Sequence, residues 1–104
     1  MIKLVENYAD SSYWYRKYSN GWIEQGGRVD RSFGTDETWA FTFPRAFTAA
    51  PLSIVGTYIA PRKSDSYGGE VGLKINTATS TGVTFLNDNY GANKIGMYWE
   101  AKGF

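Results

Sequence analysis

Two polar stretches carry the side chains whose types and spacing are best suited to chemistry in this 104-residue chain. They span residues 61–69 and 87–94, and each combines charged or amide side chains with a tyrosine. Sugar binding uses this combination, because planar polar groups bond to the hydroxyls and a ring covers the apolar face of a pyranose. The candidate glycan-binding residues are Arg62, Lys63, Asp65, Tyr67, Asp88, Asn89, Tyr90 and Asn93. For any single one of them, an exposed loop position without a ligand is the simpler interpretation.

Catalytic chemistry is restricted because the chain contains neither histidine nor cysteine. Ser-His-Asp and Cys-His catalysis, ordinary zinc sites and disulfides are therefore excluded. Five carboxylates could supply a glycosidase pair, but that pair needs two carboxyl groups roughly 5–10 Å apart, which a sequence does not show. They are Glu24, Glu37, Glu70, Asp88 and Glu100. The segment NDNYG at residues 87–91 resembles a calcium loop only weakly, since it has one carboxylate. We predict a protein that is not an enzyme and has no catalytic residue, metal site or cofactor.

Aromatic and basic residues are interleaved in YWYRKY at residues 13–18, an arrangement that can stack on single-stranded nucleic acid. That function needs a wider basic groove, and 11 basic against 10 acidic residues give a net charge of only +1. We interpret the stretch as a strand whose alternate rings pack in the core or against a neighbouring subunit, and predict no nucleic-acid partner. No apolar run approaches the roughly 20 residues that span a bilayer, and residues 1–10 lack a signal-peptide pattern, so we expect no membrane insertion.

The elements that would hold the two polar stretches are predicted to be β-strands. Four Trp, eight Tyr, six Phe and twelve Gly favour strands joined by tight turns. Seven strands are predicted, at residues 13–18, 22–30, 38–43, 52–59, 70–76, 82–87 and 95–102. The sequence therefore predicts an all-β fold, a small antiparallel β-sandwich of six to seven strands over residues 12–104. Residues 1–11 are predicted to be a linker or a short helix.

Period-two alternation also predicts which side chains face the core. The expected core-facing residues are Trp39, Phe41, Phe43, Val71, Leu73, Ile75, Val83, Phe85, Ile95, Met97, Trp99 and Ala101. Residues 52–59 are apolar on both faces, which predicts a central, buried strand. The pair Gly26-Gly27 predicts a bulge or a close approach of neighbouring backbone.

Several segments together resemble one known family. WYRKYSNGWIEQGG at residues 14–27 resembles the WYRxYSDGWxEQGG stretch that opens the C-terminal domains of many phage and prophage tail fibres, and VENY at residues 5–8 resembles the IVESY segment that often precedes it. FTFPRAF at residues 41–47, followed by APLSIV at 50–55, resembles the TFPxAFxxxPxxV block of those domains. MYWEAKGF at residues 97–104 is similar to their FYWxAxGY end. Asn20 stands where Asp is usual, and Asn-Gly serves that turn equally well.

The resemblance implies a receptor-binding domain at the distal tip of a trimeric fibre, with a fold similar to the H-type lectin β-sandwich. It implies a virion protein made in the host cytoplasm, a homotrimer, a stalk that precedes the domain with residues 1–11 next to it, and recognition of host-surface glycan such as lipopolysaccharide or capsule during adsorption. On this basis the two polar stretches, taken as a set, become the predicted glycan site. Two alternatives stay open: a trimerising or capping domain without its own receptor site and, with less support, a small glycan hydrolase.

Overall fold

Eight antiparallel β-strands form two sheets in the computed structural model, which describes residues 1–33, 37–59, 73–87 and 94–104. The strands are β1 (Leu4–Ala9), β2 (Tyr13–Tyr18), β3 (Ile23–Phe33), β4 (Glu37–Thr42), β5 (Ser53–Ile59), β6 (Leu73–Ala78), β7 (Gly82–Asn87) and β8 (Lys94–Gly103). One sheet has the strand order β1-β2-β3-β8-β5, and the other has the order β4-β7-β6. The predicted all-β sandwich is confirmed. No helix long and apolar enough to cross a membrane occurs among the described residues.

The N-terminal strand β1 was not predicted. With it the described structure has eight strands, whereas six or seven were expected. Its backbone pairs with β2, from Leu4 opposite Tyr18 to Ala9 opposite Trp14, so residues 4–9 are not helical. Because β1 is an edge strand, five of its six side chains are exposed and its sequence lacks an alternating pattern. The segment 1–11, predicted to be a linker or a short helix, therefore contains a strand of the large sheet.

The core lies between the two sheets and is rich in aromatic rings. Its buried residues are Ile23, Phe43, Phe47, Val83, Phe85, Met97, Trp99 and Ala101. Phe41 joins the sheets, since its ring centroid lies 5.8 Å from that of Phe85 and 4.8 Å from that of Trp99. The predicted inward faces of residues 38–43, 82–87 and 95–102 are confirmed wherever the structure describes their side chains.

Two core predictions are wrong, and both concern edge strands. Ile75 was expected to be buried, but it is 45% exposed because β6 ends the three-stranded sheet. Residues 52–59 were expected to form a central strand, yet among the described strands β5 lies at the edge of the large sheet and pairs only with β8. Val55 is consequently 54% exposed, whereas Ile54 packs against the core.

The EQGG stretch of β3 combines a buried glutamine that bonds to another segment with two glycines that let neighbouring backbones approach closely. Gln25 is fully buried; its Nε2 donates to the Arg45 carbonyl at 2.7 Å, and its Oε1 accepts from the Arg45 amide at 3.0 Å. Gly26 and Gly27 stay in regular register with both neighbouring strands. A Cβ on either would lie 2.6 Å or less from a carbonyl oxygen, of Trp99 and Ser12 respectively. The close approach predicted for this pair is therefore confirmed, without a bulge.

Candidate functional site

The predicted glycan-binding residues lie outside the described part of the chain, so that site stays a prediction. They are Arg62, Lys63, Asp65, Tyr67, Asp88, Asn89, Tyr90 and Asn93. The strand ends that flank them are described. Ile59 pairs opposite Gly96, Leu73 opposite Asn87, and Lys94 opposite Phe33. Phe33, opposite Lys94, comes only four residues before Glu37, which pairs opposite Asn87 in the other sheet, so these strand ends lie at one end of the sandwich.

The described residues form a different candidate site, an open cleft of about 390 Å³ on the solvent face of the large sheet. We call it the outer cleft; it is lined by Trp14, Arg28, Val55, Thr57, Tyr98, Glu100 and the turn before β2. Its volume is within the range of roughly 300–1,000 Å³ that is typical of small-molecule sites.

Strand register explains why these side chains meet. Residues directly opposite each other share a face of an antiparallel sheet. Glu100 lies opposite Gly26 on β3 and opposite Val55 on β5. It therefore has an apolar side chain on one side and the open space above a glycine on the other. In the next row, Tyr98 lies opposite Arg28 and Thr57.

Two aromatic rings form walls of the outer cleft. Trp14 pairs opposite Gly26, and a Cβ on that glycine would stand 3.0 Å from Cζ2 of Trp14, so the indole lies over the glycine. The Arg16 guanidinium lies 5.0 Å from the Trp14 ring centroid, an attractive cation–π contact made from outside the cleft. Tyr98 forms the other wall and is 52% exposed.

Arg28 is the cation among the described residues that line the outer cleft, and its orientation is fixed by two partners. Its Nε donates to Oδ1 of Asp30 at 2.8 Å, and its Nη1 donates to the hydroxyl of Tyr98 at 3.2 Å. The guanidinium carbon also lies 5.6 Å from the Tyr98 ring centroid. The hydrogen bond to Asp30, followed by that to Tyr98, raises the pKa of Arg28 above its ordinary value.

The turn before β2 is built around the carboxylate of Asp10. Oδ1 of Asp10 accepts from the amides of Ser12 at 2.7 Å and Tyr13 at 3.0 Å, while Oδ2 accepts from the Tyr8 hydroxyl at 2.7 Å. The amide of Tyr13, then the Tyr8 hydroxyl and the amide of Ser12, lower the pKa of Asp10. The Tyr8–Asp10 bond is also the main cause that raises the pKa of Tyr8 to about 12. The carbonyl of Ser12 accepts from the Arg28 amide at 2.9 Å, which fixes the turn at the rim of the cleft.

This arrangement suits a polyhydroxylated ring. Trp14 and Tyr98 line the cleft with aromatic rings, each of which has an arginine guanidinium over it, while Arg28 offers donors and Glu100 offers two acceptor oxygens. The hydroxyl of Thr57 can both donate and accept. No group of three or more acidic, histidine or cysteine side chains that could hold a metal occurs in the described ranges.

A protein family described as "Putative tail fiber protein gp53-like, C-terminal" matches residues 17–104. The chain belongs to this family. It is thus a tail fibre C-terminal domain. None of the curated proteins matches it.

Solved pyocin fibres share the fold of the tail fibre domain. The R2 pyocin fibre of P. aeruginosa is 20% identical with a TM-score of 0.72, over 95% of this chain and 25% of that chain. The R1 pyocin fibre of P. aeruginosa is 21% identical with a TM-score of 0.72, over 96% of this chain and 28% of that chain. An N-truncated R1-type pyocin tail fibre is 21% identical with a TM-score of 0.73, over 95% of this chain and 84% of that chain. The tail fibre domain thus spans about a quarter of the length of the two longer fibres.

The outer cleft of the tail fibre domain was missed at the level of sequence, although one signal pointed to it. The alternation that turns Met97 and Trp99 inward turns Tyr98 and Glu100 outward, and the glycine opposite Glu100 leaves room above it. Of the five carboxylates considered for hydrolysis, Glu100 lines the cleft, whereas Glu24 lies outside it, 4.0 Å from Lys102 Nζ. The side chain of Glu37 and both remaining carboxylates are outside the described structure.

Proposed function

We propose that the tail fibre domain binds a glycan of the host cell surface, such as lipopolysaccharide or capsule, at the distal end of a virion's fibre during adsorption. The observation that carries this proposal is the outer cleft, where two aromatic rings, a guanidinium and a carboxylate face one open volume. Membership of a tail fibre family supports the biological setting. The domain acts by binding, without chemistry on the sugar, and is made in the host cytoplasm.

The affinity expected of one such cleft is low. A sugar hydroxyl is already bonded to water, so each hydrogen bond contributes only about 0.5–1.5 kcal/mol net. A few such bonds and one ring contact give roughly 4–8 kcal/mol, which corresponds to millimolar to micromolar dissociation constants. Three cleft copies in a homotrimer, and several fibres on a particle, raise the apparent affinity by roughly 10²–10⁴.

A glycan array probed with the recombinant domain tests the proposal directly. Tyr98→Ala removes an exposed ring from the outer cleft and should lower binding about fivefold or more, since one aromatic contact is worth about 1 kcal/mol. Ile75→Ala is the matched control, because it truncates a residue of similar exposure on the other sheet. Equal binding by parent and Tyr98→Ala would place the site elsewhere, and release of reducing sugar would instead identify a hydrolase.

A capping domain that holds the fibre together is the second candidate function, and exposed apolar side chains on and beside β1 favour it. Ile2, Leu4 and Val5 are all exposed, on or next to a strand that ends its sheet among the described residues. Such an edge is suited to contact with a second copy of the chain, and head-to-tail contacts of one kind close into a three-fold ring. Light scattering that shows a trimer, combined with no binding on the array, would select this function.

A further inference from the structure

Glu100 is the unpaired charge of the outer cleft. Among the charged residues that line the cleft in the described part of the chain, it alone makes no hydrogen bond or ion pair. It is exposed, and its neighbours in the row, Gly26 and Val55, offer no polar side chain. Its two oxygens are therefore free to accept hydrogen bonds from a ligand.

The positive charge in the outer cleft is already compensated. The Arg28 guanidinium forms an ion pair with Asp30 at 2.8 Å, so Arg28 can donate hydrogen bonds to a ligand without presenting a net positive charge. Asp10 adds a further carboxylate at the rim. The described charges around the cleft are thus one guanidinium and three carboxylates.

The cations in the next row of the sheet, among the described side chains, are also accompanied by a carboxylate. Arg16 and Lys102 occupy the next row of the sheet, where Glu24 lies opposite both of them. Lys102 Nζ lies 4.0 Å from Glu24. This row leaves one net positive charge, compared with two net negative charges around the cleft, so the described side chains present a net negative charge to a bound sugar.

Building on the proposed glycan binding at this cleft, we propose that the outer cleft selects sugars that are neutral or carry a free amine, and discriminates against sugars that carry a carboxylate or phosphate. Glu100 accepts hydrogen bonds from hydroxyl or ammonium groups and repels an anionic substituent. An ammonium at this position would gain a charge-assisted hydrogen bond. A uronate or phosphate would bring a second negative charge next to an uncompensated one.

An array of bacterial glycans in three classes tests this inference: neutral, amine-bearing, and uronate- or phosphate-bearing. The expected result at low salt is binding of the first two classes and about fivefold weaker binding of the third, the size of an exposed charge effect of about 1 kcal/mol. Raising the salt from about 0.05 M to about 0.5 M should reduce this difference, because exposed charges are then screened.

The variant Glu100→Gln isolates the residue responsible. It keeps the shape and one acceptor oxygen but removes the charge, so binding of the anionic class should rise about fivefold relative to the neutral class. Glu6→Gln is the matched control: it makes the same change at a carboxylate that pairs with Arg45 and does not line the cleft, and it should leave the class preference unchanged.

The outcomes separate the two proposals. Strong binding of uronate- or phosphate-bearing glycans by the parent protein overturns the charge selection and leaves glycan binding intact. The same is true if Glu100→Gln and the parent show the same class preference. Binding to no glycan of any class overturns the proposed function, and the charge selection with it.

Discussion

The indole of Trp14 lies across Gly26: a Cβ on that glycine would stand 3.0 Å from Cζ2 of Trp14 and 2.6 Å from the carbonyl oxygen of Trp99. The glycine thus serves two purposes. It lets the backbones of β3 and β8 approach, and it leaves the space over which Trp14 forms a wall of the outer cleft. Packing and the candidate site depend on the same missing side chain.

The substitution Gly26→Ala is therefore expected to lower both stability and glycan binding. The new methyl group meets backbone, which cannot rotate away, so the strands must shift at a cost of about 1–3 kcal/mol. A thermal melt of parent and variant measures this loss, and an unchanged melting temperature would contradict the crowding.

Gly21→Ala is the control that separates stability from binding. Gly21 has φ of 91°, which an alanine adopts at a cost of about 1–2 kcal/mol, while its Cβ would have only Phe104 nearby at 3.8 Å. This variant should melt at a lower temperature yet bind glycan as the parent does, because it does not line the outer cleft.

Gln25 is expected to be essential for stability because of its two bonds to the Arg45 backbone. Gln25→Leu leaves the amide and the carbonyl of the partly buried Arg45 without partners, which costs about 1–3 kcal/mol. Arg45→Ala is the matched comparison, since it keeps the backbone atoms that Gln25 bonds and loses only a half-exposed ion pair with Glu6 at 2.9 Å. That loss should cost less than about 1 kcal/mol after screening by solvent. Chemical unfolding of both variants should show this order, and the reverse order would refute it.

The turn at Asp10 is expected to weaken in acid. The pKa of Asp10 is lowered by folding from an ordinary value of 3.8, mainly by the amide of Tyr13, so its stabilising effect is fully present above that value. The effect is lost as the pH falls through the lowered pKa, because the protonated carboxyl is a poorer acceptor. Melting temperatures of the parent should therefore drop more between pH 5 and acid conditions than those of Asp10→Asn, which cannot be protonated there. Parallel curves for the two proteins would show that Asp10 does not couple pH to folding.

How well the sequence predicts strands and their buried side chains depends on whether the strand is covered on one face only. Met97, Trp99 and Ala101 alternate with exposed residues because the second sheet covers one side of β8, and their burial could be predicted. β1 is an edge strand without an alternating pattern, so it was missed. β6 does alternate, but as an edge strand it leaves Ile75 45% exposed, so alternation placed that residue wrongly.

The outer cleft could not be predicted because it depends on strand order. Trp14, Tyr98 and Val55 come from three strands far apart in the chain, and they meet only because β8 lies between β3 and β5. Alternation alone shows that each faces outward. It does not show which outward residues are neighbours, since that is decided by pairing between distant segments.

The two polar stretches at residues 61–69 and 87–94 are expected to contribute to glycan binding together with the outer cleft. The strands that flank them end at one end of the sandwich, and binding residues lie disproportionately on segments held by such a scaffold. Tyr67→Ala, Tyr90→Ala and Arg62→Ala should each lower adsorption to host cells about fivefold, the loss of one ring contact or charge-assisted bond worth about 1 kcal/mol.

Ser64→Ala, a small change in the first stretch, is the control and should adsorb as the parent does. All variants are compared as proteins of the same oligomeric state by light scattering, so that valency stays constant. If the three variants adsorb normally while Tyr98→Ala does not, the outer cleft binds the receptor without these stretches; if all four adsorb normally, neither surface is the receptor site.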